Sequence, residues 1–195
     1  MLKKLYQTLE DRGNPDEVNQ KGPFPCNWPN TWLGDGYYYW DHFFSNALWW
    51  GNHRYNENCI ICEANCDYST DTCFDLVGTV EHLQQFKDSI EFLKTQNLID
   101  DKTTVRRVLN YMRFKIKNLK CQAVRVYGVN SVSPVKYSLK NYSNRLFFET
   151  SNPPKKTYLD LTPAIQLCIF DKRGLNLRDY KLVYPSKYID NDMLI

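Results

Sequence analysis

Two glycines stand directly before a block of aromatic residues in the first quarter of the chain. The segment reads Trp32-Leu33-Gly34-Asp35-Gly36-Tyr37-Tyr38-Tyr39-Trp40, and eight of the fourteen residues from Tyr37 to Trp50 are Phe, Tyr or Trp. Glycine tolerates positive φ and lets another group approach the backbone closely. Aromatic side chains offer flat faces on which a ligand ring can stack. The pattern predicts a strand that binds a planar ligand beside Gly34 and Gly36.

Four cysteines form a second candidate site, at positions Cys59, Cys62, Cys66 and Cys73. A CxxC pair begins many zinc sites, but such sites usually close with a second tight pair, and the later spacings here are longer. The apolar residues around Cys59 are typical of a buried strand rather than a turn. Buried free thiols are therefore the favoured interpretation, with zinc as the alternative. The odd total of seven cysteines also favours a reducing, cytoplasmic location.

Charge is distributed very unevenly along the chain. Residues 1–101 carry seven Lys or Arg and sixteen Asp or Glu, whereas residues 102–148 carry eleven Lys or Arg and no acid. One interpretation is a surface for nucleic-acid phosphates, with Arg106, Arg107, Arg113 and Lys117 as contacts. The alternative is that the basic segment pairs with the acidic first half inside the fold.

The length of 195 residues fits a single domain over 1–195 with an ordinary core. No apolar run is long enough to cross a membrane, and the first residues lack the apolar stretch of a secretory signal. We expect a soluble protein with no membrane partner.

Periodicity and turn residues predict short strands with helices between them. Helices are expected at 16–20, after Asp41 or Ser45 as the capping residue, from 79 onwards and at 103–117. Strands are expected at 4–8, 34–40, 59–65, 75–78, 123–127, 145–149, 164–170 and 181–184. This order predicts an α+β domain built on mixed or antiparallel sheets.

The glycine-aromatic strand and the segment after it resemble the ADP-ribosyltransferase fold, in its poly-ADP-ribose-polymerase-like and diphtheria-toxin-like branch. Gly34-Asp35-Gly36-Tyr37-Tyr38-Tyr39 is similar to that branch's Gly-x-Gly-x-Tyr-Phe strand, and Ser45-Asn46-Ala47 to its Ser-rich helix start. The resemblance implies two packed sheets, NAD as the cofactor, and nicotinamide stacked on Tyr38 with backbone hydrogen bonds from Gly36.

The resemblance also points to residues that replace the family's His and Glu. Gln7 or Thr8 falls where the family's first strand carries His, and Gln166 or Glu149 falls where its late strand carries Glu. The implied catalytic residues are Gln7, Tyr38, Gln166 and Glu149, and the implied NAD-binding residues are Thr8, Gly36, Tyr38, Ser45 and Trp49. Since residues alternate faces along a strand, Tyr37 and Tyr39 are expected to pack in the core if Tyr38 faces a cleft.

Three functions follow as hypotheses. The first is a mono-ADP-ribosyltransferase that uses NAD to modify a protein or nucleic acid, as a bacterial or phage-related toxin or defence factor that could be delivered to another cell. The second is a module that binds NAD or ADP-ribose without chemistry, because both Gln7 and Gln166 lack the charge of the residues they replace. The third is a nucleic-acid-binding protein that uses the basic segment 102–148.

Overall fold

Strands and helices alternate through the part of the chain that this computed structural model describes, residues 2–128, 145–148 and 158–189. The helices are α1 (Pro15–Lys21), α2 (Phe44–Tyr55), α3 (Val80–Thr95) and α4 (Val105–Asn110), and α4 runs on into a π-helical turn at Tyr111–Ile116. The strands are β1 (Leu2–Glu10), β2 (Tyr37–Asp41), β3 (Cys59–Asp67), β4 (Cys73–Asp75), β5 (Ala123–Tyr127), β6 (Arg145–Phe147), β7 (Tyr158–Asp160), β8 (Ile165–Ile169) and β9 (Arg178–Tyr184). The predicted α+β class is confirmed.

Seven of these strands form one mixed sheet in the order β4-β5-β8-β2-β1-β3-β9, and β6 pairs with β7 in a separate small ladder. Only the β4–β5 pair is parallel among these ladders. The expectation of two packed sheets therefore differs from the observed arrangement. The physical reason is the β1–β2 ladder, whose two residue pairs join the β1-β3-β9 half to the β2-β8-β5-β4 half.

The helices α2, α3 and α4 cover one face of the sheet. Alternate residues of the central strands face them, and Tyr38, Phe74, Val124 and Cys168 pack in one cluster with apolar residues of α3 and α4. On the same face Trp40 packs with Ala47 of α2. Of the apolar positions that predict α3, Phe86, Ile90 and Leu93 pack against this face of the sheet, whereas Val80 and Leu83 are exposed.

The opposite face buries Leu5, Tyr39 and Leu167 under residues that precede and include β9, such as Leu175 and Tyr180. Tyr39 is 1% exposed, and Tyr37 packs against the same cluster. The prediction that Tyr37 and Tyr39 are packing residues is confirmed, because both point away from the face that carries Tyr38.

Helix α2 begins at Phe44 without a side-chain cap, so neither Asp41 nor Ser45 caps it. The Asp41 carboxylate instead accepts a hydrogen bond from Arg125, and Ser45 lies exposed in the first turn. No helix in the described ranges is long and apolar enough to cross a bilayer.

The four clustered cysteines lie in buried strand positions rather than in turns. Cys59 packs with the α2 side of the sheet, whereas Cys62, Cys66 and Cys73 belong to clusters on the opposite side. All four thiols are free and buried. No group of three metal-ligating side chains occurs within the described residues.

Candidate ligand-binding site

The sheet opens between its two central strands. β1 and β2 pair only through Leu5 with Asp41 and Tyr6 with Trp40, although both strands continue beyond this point. In antiparallel register the next partners would be Gln7 with Tyr39 and Thr8 with Tyr38. These four residues are not paired with one another, and all of them line a cavity.

A loop segment at residues 24–26 stands where the missing part of this ladder would be. The Gln7 side chain donates to the Phe24 carbonyl (2.8 Å) and accepts from the Phe24 N–H (3.0 Å). Two residues on, Cys26 exchanges both backbone hydrogen bonds with Gly36 (2.7 and 3.3 Å). The segment thus bonds to β1 through a side chain and to the residue before β2 through its backbone, which holds the two strands apart.

The cavity has a volume of about 620 Å³, within the range of ligand pockets. All five tryptophans of the chain line it, at positions Trp28, Trp32, Trp40, Trp49 and Trp50. Its walls come from β1, the loop 24–32, β2, α2 and one residue of β8. Three parts of the sequence therefore bring five indole rings to one site, which favours a ligand with planar rings.

Exposure divides the cavity into a buried half and an open rim. Trp40 is 4% exposed at the buried side, whereas Trp28 and Trp32 are 40% and 49% exposed. His53 and Arg54, near the end of α2, also lie at the open rim. His53 stacks on Trp49 (ring centroids 5.4 Å, planes at 6°), and the Arg54 guanidinium lies 4.7 Å over the Trp28 ring.

Of the residues implied by the family resemblance, Thr8, Tyr38, Trp49 and Gln166 all line this cavity. Thr8 donates its hydroxyl proton to the Ala47 carbonyl (3.0 Å) and keeps its acceptor capacity. Gln166, paired with Trp40 in the β2–β8 ladder, makes no side-chain hydrogen bond within the described part of the chain. Its carboxamide is therefore available to a ligand.

Tyr38 has a structural hydroxyl as well as a ring that faces the cavity. Its oxygen accepts from the Leu33 N–H (2.9 Å) and donates to the Gly34 carbonyl (2.7 Å). Burial raises the pKa of Tyr38 well above its ordinary value, so the phenol stays protonated and keeps donating. Ring and hydroxyl thus have separate roles, in the cavity wall and in the turn before β2.

The Gln7 side chain lies in a different place from the one predicted. Its backbone borders the cavity, but its side chain is 3% exposed and points into the opposite face of the sheet. Besides the two bonds to Phe24, its oxygen accepts from the Tyr180 hydroxyl (2.9 Å). The amide that was expected to hold a ribose is therefore occupied by the protein itself.

Gly36 and Ser45 are also placed differently from the prediction. Both backbone groups of Gly36 bond to Cys26, and a Cβ at Gly36 would lie 2.6 Å from the Ile169 carbonyl. The glycine is thus required by the close approach of β8, not by a ligand. Ser45 is exposed and does not line the cavity. Glu149 lies outside the described residues.

The arginines of the basic segment mainly make internal contacts. Arg106 donates to the Trp28 and Pro29 carbonyls and to Asp35, and Arg107 donates to the Leu98 carbonyl. Arg113 stacks on Phe170 at 3.5 Å. The interpretation that these three arginines contact nucleic-acid phosphate stays a prediction. Pairing with the acidic first half, the alternative, is observed at Asp35.

The sequence patterns do not identify the rim residues Trp28, Trp32, His53 and Arg54 as part of a site. Two tryptophans in a loop rich in Pro and Asn were the available signal, because large rings are unusual in a polar loop. His53 and Arg54 gave no signal, because only the fold brings the end of α2 to that loop.

No protein-family model, curated protein or solved structure matches this chain.

Proposed function

We propose that this cavity binds NAD and that the protein is an ADP-ribosyltransferase-like enzyme that transfers ADP-ribose to a macromolecular target. The observation that carries the proposal is the split between β1 and β2, which brings Thr8, Tyr38, Trp49 and Gln166 around one aromatic cavity. Four residues selected from separate parts of the sequence thus meet at one place.

The aromatic lining suits the nicotinamide end of NAD for an electrostatic reason. A nicotinamide ring attached to ribose carries a positive charge, and the faces of Trp and Tyr attract cations. No Asp or Glu lines the cavity in the described part of the chain, so the rings themselves supply the negative potential there. Stacking against Tyr38 or Trp49 orients the ring, and orientation is a major source of catalysis in a bond-cleaving site.

Gln166 is the residue proposed to orient the ribose. Its free carboxamide can donate and accept, which matches a pair of sugar hydroxyls. During transfer the bond between the nicotinamide nitrogen and ribose breaks, nicotinamide leaves with the bonding electrons, and a nucleophile of the target bonds to the same ribose carbon and loses its proton. Gln166 brings no negative charge to the developing cation, so its contribution is positioning.

Binding without turnover is the second candidate, and one specific observation favours it. The described cavity lining contains no carboxylate, although a carboxylate is the group best suited to stabilise an oxocarbenium-like ribose. Binding and chemistry therefore need separate measurements.

Binding is tested through intrinsic fluorescence, because every tryptophan of the chain borders the cavity. We expect saturable quenching on titration with NAD, and clearly weaker binding by Trp49→Ala. Phe92→Ala is the matched control, since Phe92 is an exposed aromatic of α3 outside the cavity. An unchanged spectrum at millimolar NAD would exclude both candidates.

Turnover is tested by nicotinamide release and by transfer of labelled ADP-ribose to lysate proteins and nucleic acids. We expect Gln166→Ala to lower turnover more than binding, while Gln84→Ala, an exposed glutamine of α3, leaves both unchanged. Tyr38→Phe keeps the ring and removes only the bonds to Leu33 and Gly34, so it separates stacking from loop stability. Saturable binding with no release and no transfer would select the binding module.

A further inference from the structure

Arg54 differs from the arginines that stabilise the fold. In the described part of the chain it has no carboxylate within 4 Å and makes no hydrogen bond. By contrast, Arg106 pairs with Asp35 at 3.1 Å, and Arg125 pairs with Asp41 at 2.7 Å. Arg54 thus brings a positive charge without an ion-pair partner to the rim of a cavity whose described lining contains no acidic residue.

An aromatic ring of the cavity wall lies next to this charge. The Arg54 guanidinium lies 4.7 Å over the ring of Trp28, itself a lining residue. A guanidinium carries five N–H donors in one plane, and Arg54 uses none of them in a hydrogen bond within the described part of the chain. A planar donor edge matches two oxygens of one phosphate group in bidentate fashion.

We infer that Arg54 is a phosphate-binding residue and that the cavity selects ligands with a phosphate attached to the sugar that carries the buried base. This inference rests on the proposed function and specifies its substrate class as a phosphorylated nicotinamide nucleoside. The base and ribose occupy the buried half, near Tyr38 and Gln166. The first phosphate reaches the open rim, where Arg54 and Trp28 lie.

Two available ligands isolate the contribution of the phosphate group to binding. Nicotinamide riboside and nicotinamide mononucleotide share base and ribose and differ by one phosphate group. Titrated by tryptophan fluorescence at low salt, the wild-type protein should bind the mononucleotide about 10-fold or more tightly than the riboside, since hydrogen bonds to charged groups have effects of this size. The preference should shrink as salt rises.

Arg54→Gln should abolish this preference and leave the affinity for the riboside unchanged. Arg54→Lys should restore part of it, because an ammonium keeps the charge but not the planar fork. Arg12→Gln is the matched control. Arg12 is an exposed arginine just after the end of β1, and it is already paired with Glu10 at 2.8 Å. Unchanged melting temperatures for these variants separate ligand effects from unfolding.

The outcomes distinguish this inference from the function on which it rests. Equal affinity for the two ligands, or a preference that persists in Arg54→Gln, would overturn the role of Arg54 and leave NAD binding intact. Failure of both ligands and of NAD to bind would overturn both proposals.

Discussion

The junction between β1 and β2 is hydrogen-bonded at one end, the closed end, and open to the cavity at the other. Charged side chains are paired with one another at the closed end and, among the described residues, are unpaired around the cavity. At the closed end Asp41 and Arg125 form a buried ion pair at 2.7 Å, and Arg125 also pairs with Asp75 at 3.1 Å. Around the cavity, Arg54 and the carboxamide of Gln166 have no hydrogen-bond or ion-pair partner in the described part of the chain. Polar groups that satisfy one another hold the sheet together, whereas unsatisfied ones around a cavity indicate a ligand.

The largest expected effect is at the closed end. Arg125→Met should lower the free energy of unfolding by about 3 kcal/mol, because it leaves the carboxylates of Asp41 and Asp75 without their cation in a mostly buried place. Arg54→Gln should change it by less than about 0.5 kcal/mol, since Arg54 is exposed. Urea unfolding of both variants measures the contrast.

A double mutant tests whether the loss arises from unpaired charge. Asp41→Asn combined with Arg125→Met should destabilise less than the sum of the two single changes, because the two side chains share one interaction. Strict additivity, or a larger loss from Arg54→Gln than from Arg125→Met, would contradict the distinction between the two ends.

Two glutamines allow the same comparison, with an intermediate expected change in the free energy of unfolding. Gln7→Ala removes two bonds to the Phe24 backbone and one from the Tyr180 hydroxyl and leaves those groups buried, so we expect a loss of about 2 kcal/mol. Gln166→Ala removes no hydrogen bond within the described chain, so its loss should stay below about 0.5 kcal/mol. Thermal or urea unfolding gives both values.

The roles assigned to these glutamines would be reversed if Gln166→Ala were the more destabilising variant. A ligand titration completes the test, because Gln166→Ala should weaken NAD binding while it leaves the fold unchanged.

Local patterns in the sequence predict most of the elements, because their causes are local. The spacing of Val80, Leu83, Phe86, Ile90 and Leu93 predicts α3, and short apolar segments between turn residues predict β5 and β8. The alternation rule also assigns Tyr38 and Tyr39 to opposite faces. The family resemblance predicts Thr8, Tyr38, Trp49 and Gln166 as site residues, and all four line the cavity.

Long-range contacts determine the surroundings of the residues that the sequence patterns place wrongly or do not identify. Gln7 looked like a free polar side chain of a first strand, but the fold brings Phe24 and Tyr180 to its amide. Gly36 looked like a ligand contact, but Cys26 and β8 approach it. No local pattern encodes these partners, which are 10 to 173 positions away, and the same holds for the meeting of Arg54 with Trp28.

The smallest expected effect concerns thiol reactivity, which distinguishes the cavity from the core. Burial raises the pKa of Cys62 to about 11 and those of Cys66 and Cys168 to about 12, so these thiols are almost entirely protonated at pH 8 and should resist iodoacetamide in the folded protein. Cys26 and Cys121 are the half-buried thiols and should react first.

Only Cys26 of this pair lines the cavity, so saturating NAD should slow its alkylation severalfold and leave Cys121, the internal control, unaffected. Peptide mass spectrometry after timed quenching gives both rates from one sample. Because the two thiols experience the same reagent and the same global stability, a difference between them reports occupancy of the cavity alone. Equal protection of both would indicate that NAD acts through overall stability, and protection of neither would place NAD away from the wall that Cys26 forms.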